Sequence, residues 1–495
     1  MTRLRTALFA TVVLAWAAPR GAAAQEDTLR LALAEAVDLA RTENPAYLAV
    51  RNDVAEADWA VREAYGSLLP SASVGGGLSW QGAGEQRFGS LTLASNQPAY
   101  YLSSYDASVS YALDGSRLLA PSAARARRDA TTAQIRAAEA NLKAAVTRAY
   151  LEVLRRGEGE TLAMQQLERA RFNLRLARGQ QEVGTVTPLD VRQAEVQVGR
   201  AEVARLQAAN ARNTARLRLL QQIGIEADRP VALLTTFALE EPTWDRDTLL
   251  ARALELNPTL AARRAGLDAS QVQVKQARSA YLPTLSARAG LSGFTRQASS
   301  TGSLIQQAQA GVAAQVDQCV GLNELYRRLA DPLPTRDCAA IRFTDAQRNG
   351  IIAENSAFPF AFSSQPASAS LSLSMPLFQG LGRERQLESA KIQRDDAELQ
   401  VREERIALTT GLTIALAGVA TAFQSATLEA RNRSVADEQL RLAGERYRVG
   451  AISFVDLVNA ETVKAEADQA YVNAVFAYHD AVTELESVVG TDLRE

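Results

Sequence analysis

The sequence predicts a mostly α fold with a transmembrane β-barrel. Each chain is a tandem structural repeat that supplies four strands and long antiparallel helices. Three observations carry this. The frame Val-Gly-x-x-Ser/Thr-x-x-Asp-x-x-x-Ala-Glu occurs twice, at 183–195 and 449–461, with landmarks before and after it repeated in order. Segments such as ASASLSLSM (367–375) alternate apolar residues with serine, the period of a strand with one apolar and one polar face. Between them run two Ala/Leu/Arg-rich stretches, 117–182 and 383–448, on the order of 100 Å long as helices.

The elements follow in order. MTRLR is basic, ALFATVVLAWAA is apolar, and Ala22-Ala23-Ala24 precedes Gln25, so residues 1–24 read as an export signal. No cysteine lies near the cut, and lipid attachment there is not expected. Past residue 25 no run of 18 or more apolar residues is found, so entry into a membrane would require a closed β-barrel. The first repeat spans 25–242. Asn44-Pro45 opens a helix over 45–69, Leu69-Pro70 ends it, and strands follow at 71–80 and 102–113. The long helix 117–182, a hairpin turn at 183–187 and a helix at 188–223 complete it. The second repeat, 243–495, has a helix at 258–282, strands at 284–294 and 366–378, a long helix at 383–448, a turn at 449–453 and a helix at 454–489. Extra residues at 295–365 separate its two strands.

Each turn has a local cause. Gly184 and Gly450 sit where a helix ends on a left-handed residue. Thr187 and Ser453, three residues before Asp190 and Asp456, form capping boxes that start the next helix, and Pro188 suits a first helical position. So short a connection makes the flanking helices antiparallel neighbours.

The strands' polar face is serine and glycine with few charges, as a wet lumen behind a lipid-facing wall requires. Four strands cannot close a barrel, since known bacterial ones need about eight or more. Copies of the chain must therefore pool strands, and three copies leave more room for a channel than two.

Composition excludes much. With 54 Lys+Arg against 56 Asp+Glu there is no electrostatic case for nucleic acid. One histidine, His479, reads as a surface or packed residue. No Cys/His cluster, phosphate loop or nucleophile–base pair points to an enzyme or a bound cofactor.

Taken together, the Asn-Pro openings, Leu69-Pro70 and Leu282-Pro283, Pro376-Leu377-Phe378-Gln379-Gly380 and the twin Val-Gly turns resemble the TolC-like outer-membrane efflux family, over nearly the whole chain after the signal. The resemblance implies a homotrimer in outer-membrane lipid, its 12-stranded β-barrel continued by a periplasmic α-helical barrel. The turns would lie at the periplasmic tip. It further implies an exit duct of a tripartite efflux or type I secretion system, with a periplasmic adaptor protein and an inner-membrane pump. Val183, Gly184, Thr185, Val449, Gly450 and Ala451 would dock the adaptor. Asp190, Asp456, Tyr447 and Asn459 match positions of the family's gate. Two departures count: Ile452 replaces a gate arginine and Asn459 a further aspartate, which puts a salt-bridge lock in doubt. The rival reading is a periplasmic coiled-coil scaffold without a pore, which leaves the alternating strands unexplained.

The 295–365 insertion is expected on the extracellular side, where barrels carry long loops. It holds the only cysteines, Cys319 and Cys338. In an exported chain these are expected to pair, two free thiols being the alternative. The residues assign the loop no role.

Overall fold

The computed structural model describes residues 29–226 and 231–494; the expected export signal lies outside them. In chain order the elements are β1 (Leu29–Leu31), α1 (Leu33–Glu43), α2 (Pro45–Gly66), β2 (Ser71–Gln81), β3 (Gly84–Phe88), β4 (Leu91–Gln97), β5 (Tyr100–Leu113), α3 (Gly115–Glu182), α4 (Pro188–Ile223) and β6 (Val231–Leu233). The second repeat continues with α5 (Arg246–Leu256), α6 (Pro258–Ser279), β7 (Thr284–Ala298), α7 (Thr301–Arg327), a 3-10 turn at Cys338–Ala340, α8 (Asp345–Asn355), β8 (Ser363–Ser364), β9 (Ser368–Ser374), α9 (Gly382–Arg448) and α10 (Phe454–Val489).

The long helices and both hairpins fall within two residues of their expected bounds. Elsewhere the expectations need correction. The helices at 45–69 and 258–282 stop at Gly66 and Ser279, because the last residues before each Leu-Pro wind into a tight turn. Short helices α1 and α5 precede them. β7 runs to Ala298, four residues past its expected end, since β5 offers partners as far as Tyr100. β9 ends at Ser374, two residues before Pro376, which lacks a ladder donor. One helix, α9, does carry an 18-residue window apolar enough to cross a membrane by length and composition. Its 406–428 stretch has no charge but is rich in alanine and threonine. Leu408, Leu412, Ala415 and Val419 within it are core residues, so part of the stretch is committed to packing in the chain itself.

The chain divides into two units. One holds the described residues up to Glu56, Asp129–Leu267 and those from Ala397 on; the other holds Ala57–Arg128 and Asp268–Asp396.

In the first unit the Asn-Pro motifs explain themselves. The Asn44 side-chain oxygen accepts from Tyr47 N at 2.9 Å and caps α2. Its amide donates to Gln222 O at 2.7 Å, an orphan carbonyl at the end of α4. Asn257 repeats both bonds with Leu260 N and Val488 O, each at 2.9 Å. One side chain therefore closes the end of one helix and the start of another. α4 stops at Gly224 (φ +95°) and α10 at Gly490 (φ +84°), where the chain crosses the two asparagines. Around the first junction Tyr150 is fully buried; its hydroxyl donates to Leu31 O and accepts from Leu234 N and Thr235 N. That ties α3 to the parallel pair β1–β6.

In the second unit β2, β5, β7 and β9 form an antiparallel sheet in that order, with β8 a short continuation beside β7. Register sorts the side chains cleanly. One face carries the rows Val74–Ala107–Leu291, Tyr111–Ala287–Leu371 and Leu113–Leu285–Leu373. The other carries Ser73–Ser108–Gly290–Ser368 and Ser71–Ser110–Arg288–Ser370. Val74 is 85% exposed and Leu371 is 73% exposed, so nothing in the chain covers the apolar face at these points. Among the described residues the outer edges of β2 and β9 have no partner strand. The strand-to-helix junctions repeat too: Arg117 donates to Ala112 O and Arg383 to Leu377 O.

A further hairpin, β3–β4, rises between β2 and β5. The insertion holds α7 and α8, and Cys319 and Cys338 are disulfide-bonded.

Candidate functional site: the paired hairpin turns

Both turns are built alike. After α3, Gly184 takes φ +77°, and the N–H groups of Gly184 and Thr185 donate to Gln181 O and Gln180 O at 3.0 and 2.9 Å. After α9, Gly450 takes φ +73°, and Gly450 N and Ala451 N donate to Tyr447 O and Arg446 O at 3.0 and 2.8 Å. Glycine is needed because an L side chain resists this backbone. The next helix then starts on a reciprocal cap. Thr187 N and Oγ1 donate to Asp190 Oδ2 at 2.9 and 2.7 Å; Ser453 N and Oγ donate to Asp456 Oδ2 at 3.0 and 2.7 Å. The Ser453 bonds hold the Asp456 carboxyl below its ordinary range.

One apolar cluster joins the two turns: Ala177, Val191, Ala194, Tyr447, Phe454 and Leu457 are buried together, with Ile452 packed against them. What the turns leave outside is apolar as well. Val183 is 75% exposed and Val449 79%. Leu189 and Val455, the second residues of the following helices, are also exposed. A groove between α4 and α10 is lined by Leu189, Arg192, Val196, Arg200, Val455 and Val458. A second, between α9 and α10, is lined by Val435, Glu438, Leu442, Arg446, Ile452 and Asp456.

Tyr447 is buried at 3% exposure, its ring 5.8 Å from that of Phe454. Burial, and then the negative charge of Asp190, push its hydroxyl above the usual tyrosine range. Its oxygen has no hydrogen-bond partner among the described residues. Tyr447 and Asp190 are thus electrostatic neighbours without a direct bond. Asn459 is exposed on α10.

The model for outer membrane efflux proteins matches residues 36–225 and 344–491. The chain belongs to this outer membrane efflux protein family. It is 24% identical over 469 residues to Protein CyaE of Bordetella pertussis, covering 94% of this chain and 84% of that one. Among solved structures it resembles the CmeC outer membrane channel of Campylobacter jejuni, with TM-score 0.69, 16% identity and coverage of 94% and 87% of the two chains. It also resembles the open state of the MtrE outer membrane channel of Neisseria gonorrhoeae, with TM-score 0.65, 18% identity and coverage of 93% and 89%. Family membership makes this an efflux channel protein of the outer membrane and a non-enzymatic duct.

Two polar links in this efflux protein escape sequence reading. Asn173 of α3 donates to Glu461 of α10 at 2.5 Å, joining the two hairpins. Burial raises the Glu461 carboxyl, against the opposing pull of Asn173 and then Arg169. Further along α10, Lys464 and Asp468 are a buried ion pair at 2.6 Å, 5% and 3% exposed. α9 completes it: Asp437 meets Lys464 at 2.7 Å and Arg433 meets Asp468 at 2.8 Å. The spacing of Lys464 and Asp468 is visible in sequence, but their burial is not. His479 is also packed, at 3% exposure, and burial lowers its pKa to about 4. It is neutral at pH 7. The described residues contain no cluster of three or more His, Cys, Asp or Glu able to hold a metal.

Proposed function

We propose that three copies of this chain form a channel-tunnel: a 12-stranded β-barrel in the outer membrane, continued by an α-helical barrel in the periplasm. It serves as the passive exit duct of a tripartite efflux or type I secretion system. The observation that carries this is the four-stranded sheet, apolar on one face, serine-lined on the other and open at both edges. Lipid does not tolerate open edges, so further copies must supply the missing partners. A pore-free scaffold would leave that sheet without a purpose.

The hairpin turns are the periplasmic tip in this reading. Val183-Gly184-Thr185 and Val449-Gly450-Ala451 meet the adaptor, which in turn couples the duct to an inner-membrane pump. Exposed valines beside exposed backbone, flanked by grooves of mixed apolar and charged lining, support docking of a protein. Asp190, Asp456, Tyr447 and Asn459 form the gate. In a trimer each aspartate becomes a ring of three carboxylates, which favours cations through a narrow mouth. The same aspartates cap helices, and the two roles are compatible: each cap uses Oδ2. With Ile452 packed into the tip core, the closed state rests on apolar packing and on the Asn173–Glu461 link more than on a salt bridge.

Photo-cross-linking from Thr185 and Ala451 in cells tests the docking assignment. Capture of a periplasmic adaptor supports it. Labelling of bulk lipid alone, or of nothing, refutes it.

A further inference from the structure

The insertion returns to the sheet as a strap. At its start, Asn355 is bound twice to the end of β7: Ala298 N donates to its Oδ1 at 2.6 Å and its amide donates to Ala298 O at 3.0 Å. At its end, β8 pairs Ser363 and Ser364 with Phe294 and Gly293, and Gln365 N donates to Ser292 O at 2.8 Å. Between these fixings the sequence is Ser-Ala-Phe-Pro-Phe-Ala-Phe, without a charge.

The strap lies on the apolar face. The Phe358 ring sits 6.0 Å from Tyr101, and the Phe362 ring 5.0 Å from Tyr105 in an edge-on contact. Tyr101 and Tyr105 belong to the same face of β5 as Ala107 and Val109, by the strand's period of two. Gly293 makes room there: a Cβ on it would come within 2.5 Å of the Tyr105 ring. Trp80, directly opposite Tyr101 on β2, is 65% exposed. Phe360, between the two anchored phenylalanines, is 80% exposed.

We propose that Phe358, Phe360 and Phe362, with Trp80, Tyr101 and Tyr105, form a lipid-interface anchor. Phe360 enters the boundary between headgroups and acyl chains. The proposal rests on the channel reading, which makes this face the membrane-facing one and puts this end of the strands away from the helical tip. Three features favour lipid over a protein partner. The patch continues the uncovered apolar face of Val74, Leu78, Val109 and Leu291. The ring contacts of Phe358 and Phe362 fall on β5, a central strand, and so on the face of the sheet, although β8 itself takes the outer edge of β7. The residues are aromatic and two carry a hydroxyl, the composition that settles at membrane interfaces. A role for the insertion follows: it thickens the aromatic belt where Gly293 and Thr295 leave β7 without one.

The test places the photoreactive residue p-benzoylphenylalanine at Phe360 of the full-length protein in native outer membranes, with Leu371 on the apolar face of β9 as reference. Phe360 packs little, so the replacement is tolerated. Lipid adducts by mass at both positions are expected. Lipid at 371 with none at 360, or a chain-to-chain adduct at 360, overturns the anchor and leaves the channel standing. Absence of lipid at both positions overturns the channel reading and the anchor with it.

Discussion

Adding one methyl group at Gly224 should destabilise the chain far more than adding it at Gly184, although both residues end a helix with positive φ. At Gly224 the backbone has φ +95°, and a Cβ would lie 2.4 Å from Glu43 O, 2.7 Å from Glu43 C and 2.8 Å from Asn44 Cα. All three atoms are backbone of the junction that Asn44 ties to Gln222, so none can swing away. At Gly184, with φ +77°, nothing lies within 4 Å. The left-handed backbone costs a non-glycine residue about 1–2 kcal/mol at either site. Overpacking against fixed neighbours adds about 1–3 kcal/mol, and only at Gly224. The second repeat supplies an internal check. Gly490 has its nearest atoms at 3.0 Å, a tight contact that small shifts relieve, while Gly450 is open. Midpoints of guanidinium unfolding in detergent, followed by helical circular dichroism, should therefore fall most for Gly224→Ala, less for Gly490→Ala, and least for Gly184→Ala and Gly450→Ala. A loss at Gly184→Ala equal to that at Gly224→Ala would refute the junction argument.

Three other outcomes are expected. Leu371→Arg on the apolar face should destabilise the sheet in lipid, by no more than the about 2–4 kcal/mol of a mid-bilayer site, whereas Ser370→Arg on the serine face should assemble nearly normally; folding into lipid vesicles compares them. At the tip, Asp456→Ala should weaken cation block and change conductance in planar bilayers. Because Ser453 lowers the Asp456 pKa, its cap contributes stability above the unfolded carboxyl's pKa and loses it as pH falls through the lower folded value. Ser453→Ala should move the acid midpoint of cation block upward. Lys464→Ala strips one of two cations from the buried Asp468; because Arg433 stays at 2.8 Å, the loss should fall short of the about 3–5 kcal/mol of a fully stranded buried charge, read as a lower unfolding midpoint.

What could be read from the sequence was local. Gly184 with Thr187 and Asp190, and Gly450 with Ser453 and Asp456, state a helix end and a helix start within seven residues, and both turns form where they point. The serine alternation of 367–375 states a two-faced strand, and β9 with its register obeys it. The opposite case is Asn44. Its role as a helix opener is local, but its second bond reaches Gln222, and Asn257 reaches Val488, partners that no nearby residue announces. The same holds for Glu461 with Asn173, and for Lys464 with Asp437: a polar residue on a helix reads as a solvated face until tertiary packing buries it. α7 and α8 are not legible in the sequence, because an insertion without a counterpart in the first repeat has no landmark to align it. The hairpin β3–β4 lies between two expected strands, in a stretch where no element is expected.

The most direct measurement is the native mass of the protein extracted from outer membranes in mild detergent. The channel-tunnel reading predicts a particle of three chains, each closing an open edge of its neighbour's four-stranded sheet. A particle holding one chain would contradict the shared barrel and, with it, the duct.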